Sequence, residues 1–300
     1  MIKRVIEISE TAARLSLRRG QVLAQTGDVV RTFPAEDVGM LILQHPRITV
    51  TTAVLNEVAK AGGVVILCDS RHLPSATLLP AVTHTELGAR FERQLKAGKP
   101  IRKKIWKQVV KAKVFAQAEP LDGREMRRLR HLAETVRSGD PKNHEAQAAR
   151  IYWRARFPKI YADGDRRDPT DEGRFNSLLN YGYAIIRASV ARAIVGAGLQ
   201  PVLGIHHRNI RNPFCLADDL MEPLRPLVDD LVFDLLRGPD AEDGRLTRED
   251  RQMLLGILQQ TVGWGDTHGP LMATLPRFIG SFYRVLIGAD SRLVVPTRAR

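Results

Sequence analysis

The stretch Leu73-Pro74-Ser75-Ala76-Thr77-Leu78-Leu79-Pro80, with Leu87-Gly88-Ala89-Arg90-Phe91-Glu92-Arg93-Gln94-Leu95-Lys96 soon after it, divides the chain into two regimes. Residues 73–79 read as a last strand. Beyond Pro80, apolar residues recur at three- and four-residue intervals. Leu87, Phe91 and Leu95, then Ile105, Val109 and Val110, fit amphipathic helices. Upstream, the pattern is that of strands. Residues 2–8 form one candidate. Arg14-Leu15-Ser16-Leu17 and Gln21-Val22-Leu23-Ala24 flank Arg18-Arg19-Gly20, a hairpin signal with glycine in the turn. Val38-Gly39-Met40-Leu41-Ile42-Leu43 and Val64-Val65-Ile66-Leu67-Cys68 are continuous apolar runs suited to buried strands. Between them, Thr51 or Thr52 can cap a helix presenting Val54, Leu55 and Val58, which ends near Gly62-Gly63.

Downstream of the divide, helices are predicted over 144–157, 175–197 (with Gly198 as its stop), 227–236 and 251–262. Asp163-Gly164-Asp165-Arg166-Arg167-Asp168-Pro169 reads as a polar loop, and residues 289–300 as a basic, mobile tail. The expectation is an α+β fold, with a small β-sheet domain over 1–82 followed by a larger all-α domain over 83–300.

Lysine and arginine number 46 against 33 acids, for a formal net charge of +13. A surplus of this size points to a polyanionic partner through phosphate neutralisation. The surplus is clustered: Arg90, Arg93, Lys96, Lys99, Arg102, Lys103, Lys104, Lys107, Lys111 and Lys113 face Glu92 alone. That run is the predicted backbone-binding face, with Arg124, Arg127, Arg128 and Arg130 beside it. It would hold phosphates without reading bases. The two cysteines, Cys68 and Cys215, belong to no CxxC pair and read as packing residues in a reducing compartment. No run approaches the ~20 apolar residues of a membrane span, so a soluble intracellular protein is expected.

The chemistry concentrates in Gly204-Ile205-His206-His207-Arg208-Asn209, Asn212-Pro213-Phe214 and Asp218-Asp219-Leu220-Met221-Glu222-Pro223. On a helix, Glu222 shares a face with Asp219 or Asp218, and like charges so placed call for a cation, either Arg225 or a metal. Pro223 biases Glu222 away from α geometry and denies Asp219 an acceptor bond, so the helix should kink or restart there. Spacing alone leaves a metal site and a charged helix start both standing. It also leaves His206 and His207 undecided, and Glu145 reads equally well as an N-terminal helix charge.

The sequence resembles the CRISPR-associated integrase of the adaptation machinery, the Cas one family, over nearly its whole length. The resemblance is carried by Glu145 with Ala148-Ala149-Arg150 and Tyr152-Trp153, and by Asn176 with Leu179-Asn180-Tyr181-Gly182-Tyr183-Ala184. It continues through Gly198-Leu199, Pro201, Leu203 to His207, Asn212-Pro213-Phe214 and residues 216–226. Leu224 and Ser177 depart from the commoner family residues. The last block is most similar to the form found in type II systems.

The resemblance implies a metal triad of Glu145, His207 and Glu222, with Asp219 and His206 as supporting candidates. Two carboxylates and one imidazole suit Mg2+ or Mn2+, although zinc accepts the same atoms. The implied reaction is attack by the 3′-hydroxyl of spacer DNA on repeat phosphodiesters, so Tyr181, Tyr183 and Ser177 are not needed as nucleophiles. The implied partners are double-stranded DNA (spacer precursor and CRISPR repeat), a second copy of the chain, and a small ferredoxin-like partner completing a heterohexamer. The type II effector nuclease is a further one. The implied location is the prokaryotic cytoplasm. Two other readings stay open: a metal-dependent nuclease of branched or single-stranded nucleic acid, and a non-catalytic DNA scaffold.

Overall fold

The computed structural model describes residues 3–81, 84–161, 173–237 and 246–299. Strands β1 (Arg4–Ile8), β2 (Arg14–Arg18), β3 (Gln21–Thr26), β4 (Val29–Pro34), β5 (Val38–Leu43) and β6 (Thr49–Val50) precede helix α1 (Thr52–Lys60), and β7 (Val64–Cys68) and β8 (Pro74–Leu78) follow it. They make two four-stranded sheets. In the order β1-β5-β7-β8, the first three strands are parallel and β8 returns antiparallel. In the order β4-β3-β2-β6, the first three strands are an antiparallel meander. Arg19 and Gly20 both take positive φ, as the predicted hairpin turn needs.

The central strands β5 and β7 of the first sheet are largely buried on both faces, which explains their unbroken apolar runs. Side chains alternate across a strand. Met40, Ile42, Val64 and Ile66 therefore join the large core shared with the helices, while Leu41, Leu43 and Val65 join a small core with α1 and the second sheet, as does Val38, which lies ahead of the register shift between β1 and β5. The sheet region thus has a small core of its own on one face and shares the core on its other face with the helices. The boundary expected at 82/83 falls on residues outside the described ones, as does the predicted polar loop at 163–169.

The helical part comprises α2 (Leu87–Lys96), α3 (Lys99–Ala118), α4 (Gly123–Thr135), α5 (His144–Arg156), α6 (Arg174–Gly196), α7 (Cys215–Met221), α8 (Arg225–Leu235) and α9 (Arg248–Gly256). Then come β9 (Thr261–Trp264), β10 (Thr267–Pro270), α10 (Leu271–Leu286) and β11 (Thr297–Arg298). Helix α6 ends as predicted. Gly198 has φ +70°, its N–H bonds the Val195 carbonyl at 2.8 Å, and Leu199 N–H bonds that of Ile194 at 3.1 Å. At Gly182 an added Cβ would lie 2.4 Å from Val228 Cγ1, so α6 and α8 approach closely there.

Three expectations are corrected. The helix expected over 251–262 stops at Gly256, and a strand begins at Thr261, because Gly265-Asp266 closes a hairpin between β9 and β10. The region after residue 83 is therefore helical with a small three-stranded sheet, β10-β9-β11. The tail is tied down rather than mobile: β11 pairs with β9, Leu293 is buried, and Arg298 bonds Asp230 and Glu119. Among the described residues, no helix is long and apolar enough to cross a membrane.

Candidate active site

Three separate segments converge beside α3. The first is the start of α5. Its leading amides, His144 N–H and Glu145 N–H, are both accepted by the Asp140 carboxylate at 2.9 Å, which fixes the helix end that carries Glu145. The second is the turn between α7 and α8. Pro223 does interrupt the helix, as expected, but Glu222 itself keeps φ −50° and ψ −45°. The chain tightens into a 3-10 turn over Glu222–Leu224 and restarts at Arg225. The third is the loop from Gly204 to Asn209.

Glu145 and Glu222 meet on one cation, Lys113. Its Nζ lies 2.5 Å from Glu145 Oε1 and 2.5 Å from Glu222 Oε2. Arg225 Nε lies 2.9 Å from the other oxygen, Oε1. Burial pushes the Glu222 carboxyl up, but Arg225 and Lys113 outweigh it and hold the group down to about 2. The same pairing outweighs the desolvation of Lys113 and holds its ammonium above the ordinary value. Lys113 is therefore not on the basic outer face where its place in the run had put it. It follows Ile105, Trp106, Val109 and Val110 on the buried stripe of α3.

The loop is organised by Asp219, which is wholly buried. Its Oδ2 accepts the amides of Ile205 (2.6 Å) and His206 (2.9 Å). Its Oδ1 accepts that of His207 (3.1 Å) and lies 2.6 Å from His207 Nδ1. With four bonds made, Asp219 is a brace. The Nδ1 contact raises the His207 pKa and directs the ring's Nε2 away from Asp219, an orientation that suits a metal ligand. His206 instead stacks flat on Trp106, with centroids 4.0 Å apart and planes 2° apart, and desolvation lowers its pKa. Trp106 also meets His207 edge-on. Gly204 admits no side chain, since an added Cβ would lie 2.3 Å from the His207 carbonyl oxygen. Asn212 secures the far end of the loop, donating to Asp218 and accepting from Phe214 N–H.

Among the described residues, no three histidine, cysteine or acidic side chains form a ready-made metal shell. Lys113 separates the two glutamates, and His207 Nδ1 is committed to Asp219. The donors nonetheless fit a hard divalent ion. Glu222 Oε2 is buried with no hydrogen-bond partner, in contact with Lys113 through charge alone. Glu145 Oε1 and the imidazole complete the set.

Behind Glu222, Arg225 lies over the Tyr183 ring at 4.6 Å, and Tyr183 donates to buried Asp229. Tyr181 accepts from Gln44 at 3.0 Å, so both tyrosines are structural. Of the predicted DNA-binding residues, Lys103 and Lys104 are exposed on α3 and Lys107 and Lys111 half-buried beside them. Arg90 bonds the Ala197 carbonyl and lies over Tyr283, whose hydroxyl accepts from Arg93. The sequence did not single out Trp106 or Asp140, and it put Lys113 on the basic DNA-facing run rather than between the glutamates. For Trp106 and Lys113, a signal existed in their place on the apolar stripe.

The family model for the CRISPR associated protein Cas1 matches residues 6–257. The chain is 35% identical over 281 residues to a CRISPR-associated endonuclease Cas1 of Neisseria meningitidis, covering 91% of this chain and 89% of that one. The chain belongs to the Cas1 family. Among solved structures, a casposase bound to integration product superposes with a TM-score of 0.78 at 19% identity, covering 97% of this chain and 92% of that one. A chain of a Cas6-RT-Cas1–Cas2 complex also gives 0.78, at 17% identity, covering 99% of this chain and 36% of that one. Identities this low speak for the fold. The α+β arrangement seen here is shared with these structures.

Proposed function

We propose that this Cas1 protein is a divalent-metal-dependent DNA strand transferase and endonuclease that inserts spacer DNA into a CRISPR array. The observation that carries the reading is the convergence of Glu145 and Glu222, from elements 77 residues apart in sequence, on one buried cation beside an imidazole oriented by Asp219. Glu145, Glu222 and His207 would hold Mg2+ or Mn2+, which when bound polarises a phosphodiester and offsets the charge developing on it. The chain's own residues supply the rest. Asp219 fixes the imidazole, Asp140 fixes the start of α5, and Arg225 holds Glu222 ionised. Trp106 and His206 wall the site. On the face of α3 away from its buried stripe, Lys103, Lys104, Lys107 and Lys111 offer positive charge to a DNA backbone.

The nucleophile is the 3′-hydroxyl of a DNA end, its proton passing to solvent or a base, and the leaving oxygen is that of the repeat strand. Water in the same place gives hydrolysis. The physiological assembly is a homodimer joined to a Cas2-type partner, in keeping with the Cas1–Cas2 pairing named in the solved complex.

The test uses a duplex with free 3′-hydroxyls and a repeat-bearing plasmid. Wild type gives covalently joined products, and Glu145→Ala, His207→Ala and Glu222→Ala lose them while still retarding DNA in a gel. Joined products from the triad variants would end the catalytic assignment. Retained joining by His207→Ala with loss in His206→Ala would transfer the imidazole role. Nicks without joining from wild type would favour a plain nuclease.

A further inference from the structure

Lys113 and Arg225 stand against Glu145 and Glu222, two positive charges against two negative, with Tyr183 under Arg225 and Trp106 edge-on to His207 beside them. The cluster is neutral before any divalent ion enters. An ion joining it with both cations in place takes these four groups to +2, of which the buried Asp219 carboxylate behind His207 offsets one, and the charge left uncompensated away from water is costly. Withdrawal of the ammonium does not lessen that cost for Lys113 itself. It is 7% exposed and, among the described residues, these two glutamates are its acidic partners. A phosphodiester brought to the site carries the missing negative charge.

We propose that Lys113 is a positioning residue that makes divalent-ion binding at Glu145 and Glu222 depend on DNA phosphate, by competing with the ion for both carboxylates. The proposal rests on the metal-centre reading above. In the protein alone, the ammonium bridges the glutamates, holds them within reach of one ion, and keeps affinity for that ion low. With DNA docked, the phosphate offsets the added charge, Lys113 gives up or shares a carboxylate oxygen, and the ion binds. Coupling of this kind is reciprocal, so the ion tightens DNA binding by the same factor.

Mn2+ titrations followed by calorimetry, with and without a duplex whose 3′ ends are dideoxy, test this. For wild type, Mn2+ is expected to bind weakly alone and about tenfold or more tighter with the duplex, within the usual range of coupling between sites. Lys113→Met should bind Mn2+ about tenfold tighter than wild type without DNA and lose most of the gain on adding it. Lys113→Arg, which keeps the charge, should behave as wild type. Should Lys113→Met lack the native circular dichroism spectrum, Lys113→Gln carries the same expectation.

A merely structural lysine predicts that its removal leaves Mn2+ affinity without DNA equal or weaker, and that outcome overturns the proposal. Glu145→Gln and Glu222→Gln separate the two levels. If they abolish Mn2+ binding while the Lys113 variants match wild type, only the role of Lys113 falls. If Mn2+ binding is indifferent to both glutamates, the metal centre falls, and this inference with it.

Discussion

Two adjacent histidines meet opposite circumstances. His206 lies flat against Trp106, and His207 is anchored by Asp219 through Nδ1. Neighbours in space assign these roles, and the single residue is the scale at which they can be tested. Asp229 offers a test by pH. Burial, the largest influence, pushes its carboxyl from the ordinary 3.8 up to about 7, against the opposing hydrogen bond of Tyr183. Between those values the folded chain keeps a proton that the unfolded chain has released. Stability from this group therefore falls as pH rises from about 4 to about 7, then levels off, with a total on the order of 4 kcal/mol. Asp229→Asn is expected to flatten the dependence of melting temperature on pH across that window. A variant whose curve parallels wild type would show that the buried carboxyl is already ionised at low pH.

At the scale of elements, the loop from Gly204 and helix α3 make separate predictions. Gly204→Ala would press a methyl against the His207 carbonyl, Cys215 Cβ and Asp219 Oδ2. Relief requires the loop to move, at a cost of about 1–3 kcal/mol. We expect a protein with wild-type helical content, a lower melting temperature and little strand transfer, and full activity would mean that the loop tolerates displacement. Helix α3 has an apolar face that carries Lys113 and an outer face that carries exposed lysines. Charge reversal at Lys103 and Lys104, on the outer face, should weaken DNA binding and make the slope of log affinity against log salt shallower by about 1–2. The melting temperature should stay near that of wild type. An unchanged slope removes this face from the DNA path.

At the scale of the molecule, the two parts expected from sequence share a core. Met40, Ile42, Val64 and Ile66 fill the same cluster as α3, α6 and α10 residues. A chain beginning at residue 83 would expose the apolar surface that these side chains cover. We expect it to melt without a cooperative transition or to aggregate, and a sharp two-state melt would show the helical part to be self-sufficient. The tail bears on the same point, since Arg298 reaches Asp230 in α8 and Glu119 at the end of α3 and so ties the last residues to the middle of the chain.

The sequence by itself determined what depends on near neighbours along the chain. Strand alternation, helical periodicity, the Gly198 stop, the restart at Pro223 and the kinds of side chain available for chemistry were all legible, because φ/ψ preference and apolar period act within a few residues. The hairpin at 261–270 was equally local, and its Gly265-Asp266 turn was readable but outweighed by the apolar run before it. What only the tertiary structure decided was who partners whom. That Lys113, rather than solvent, answers Glu145 and Glu222 could be suspected from its place on the apolar stripe of α3. Nothing local, however, says which carboxylates lie opposite. Likewise, Asp219 is spent on three amides and an imidazole 12 to 14 residues away, and Arg93 bonds a tyrosine 190 residues away. Such choices come from minimising unpaired buried charge over the whole packed molecule, a sum that has no value until every element is in place.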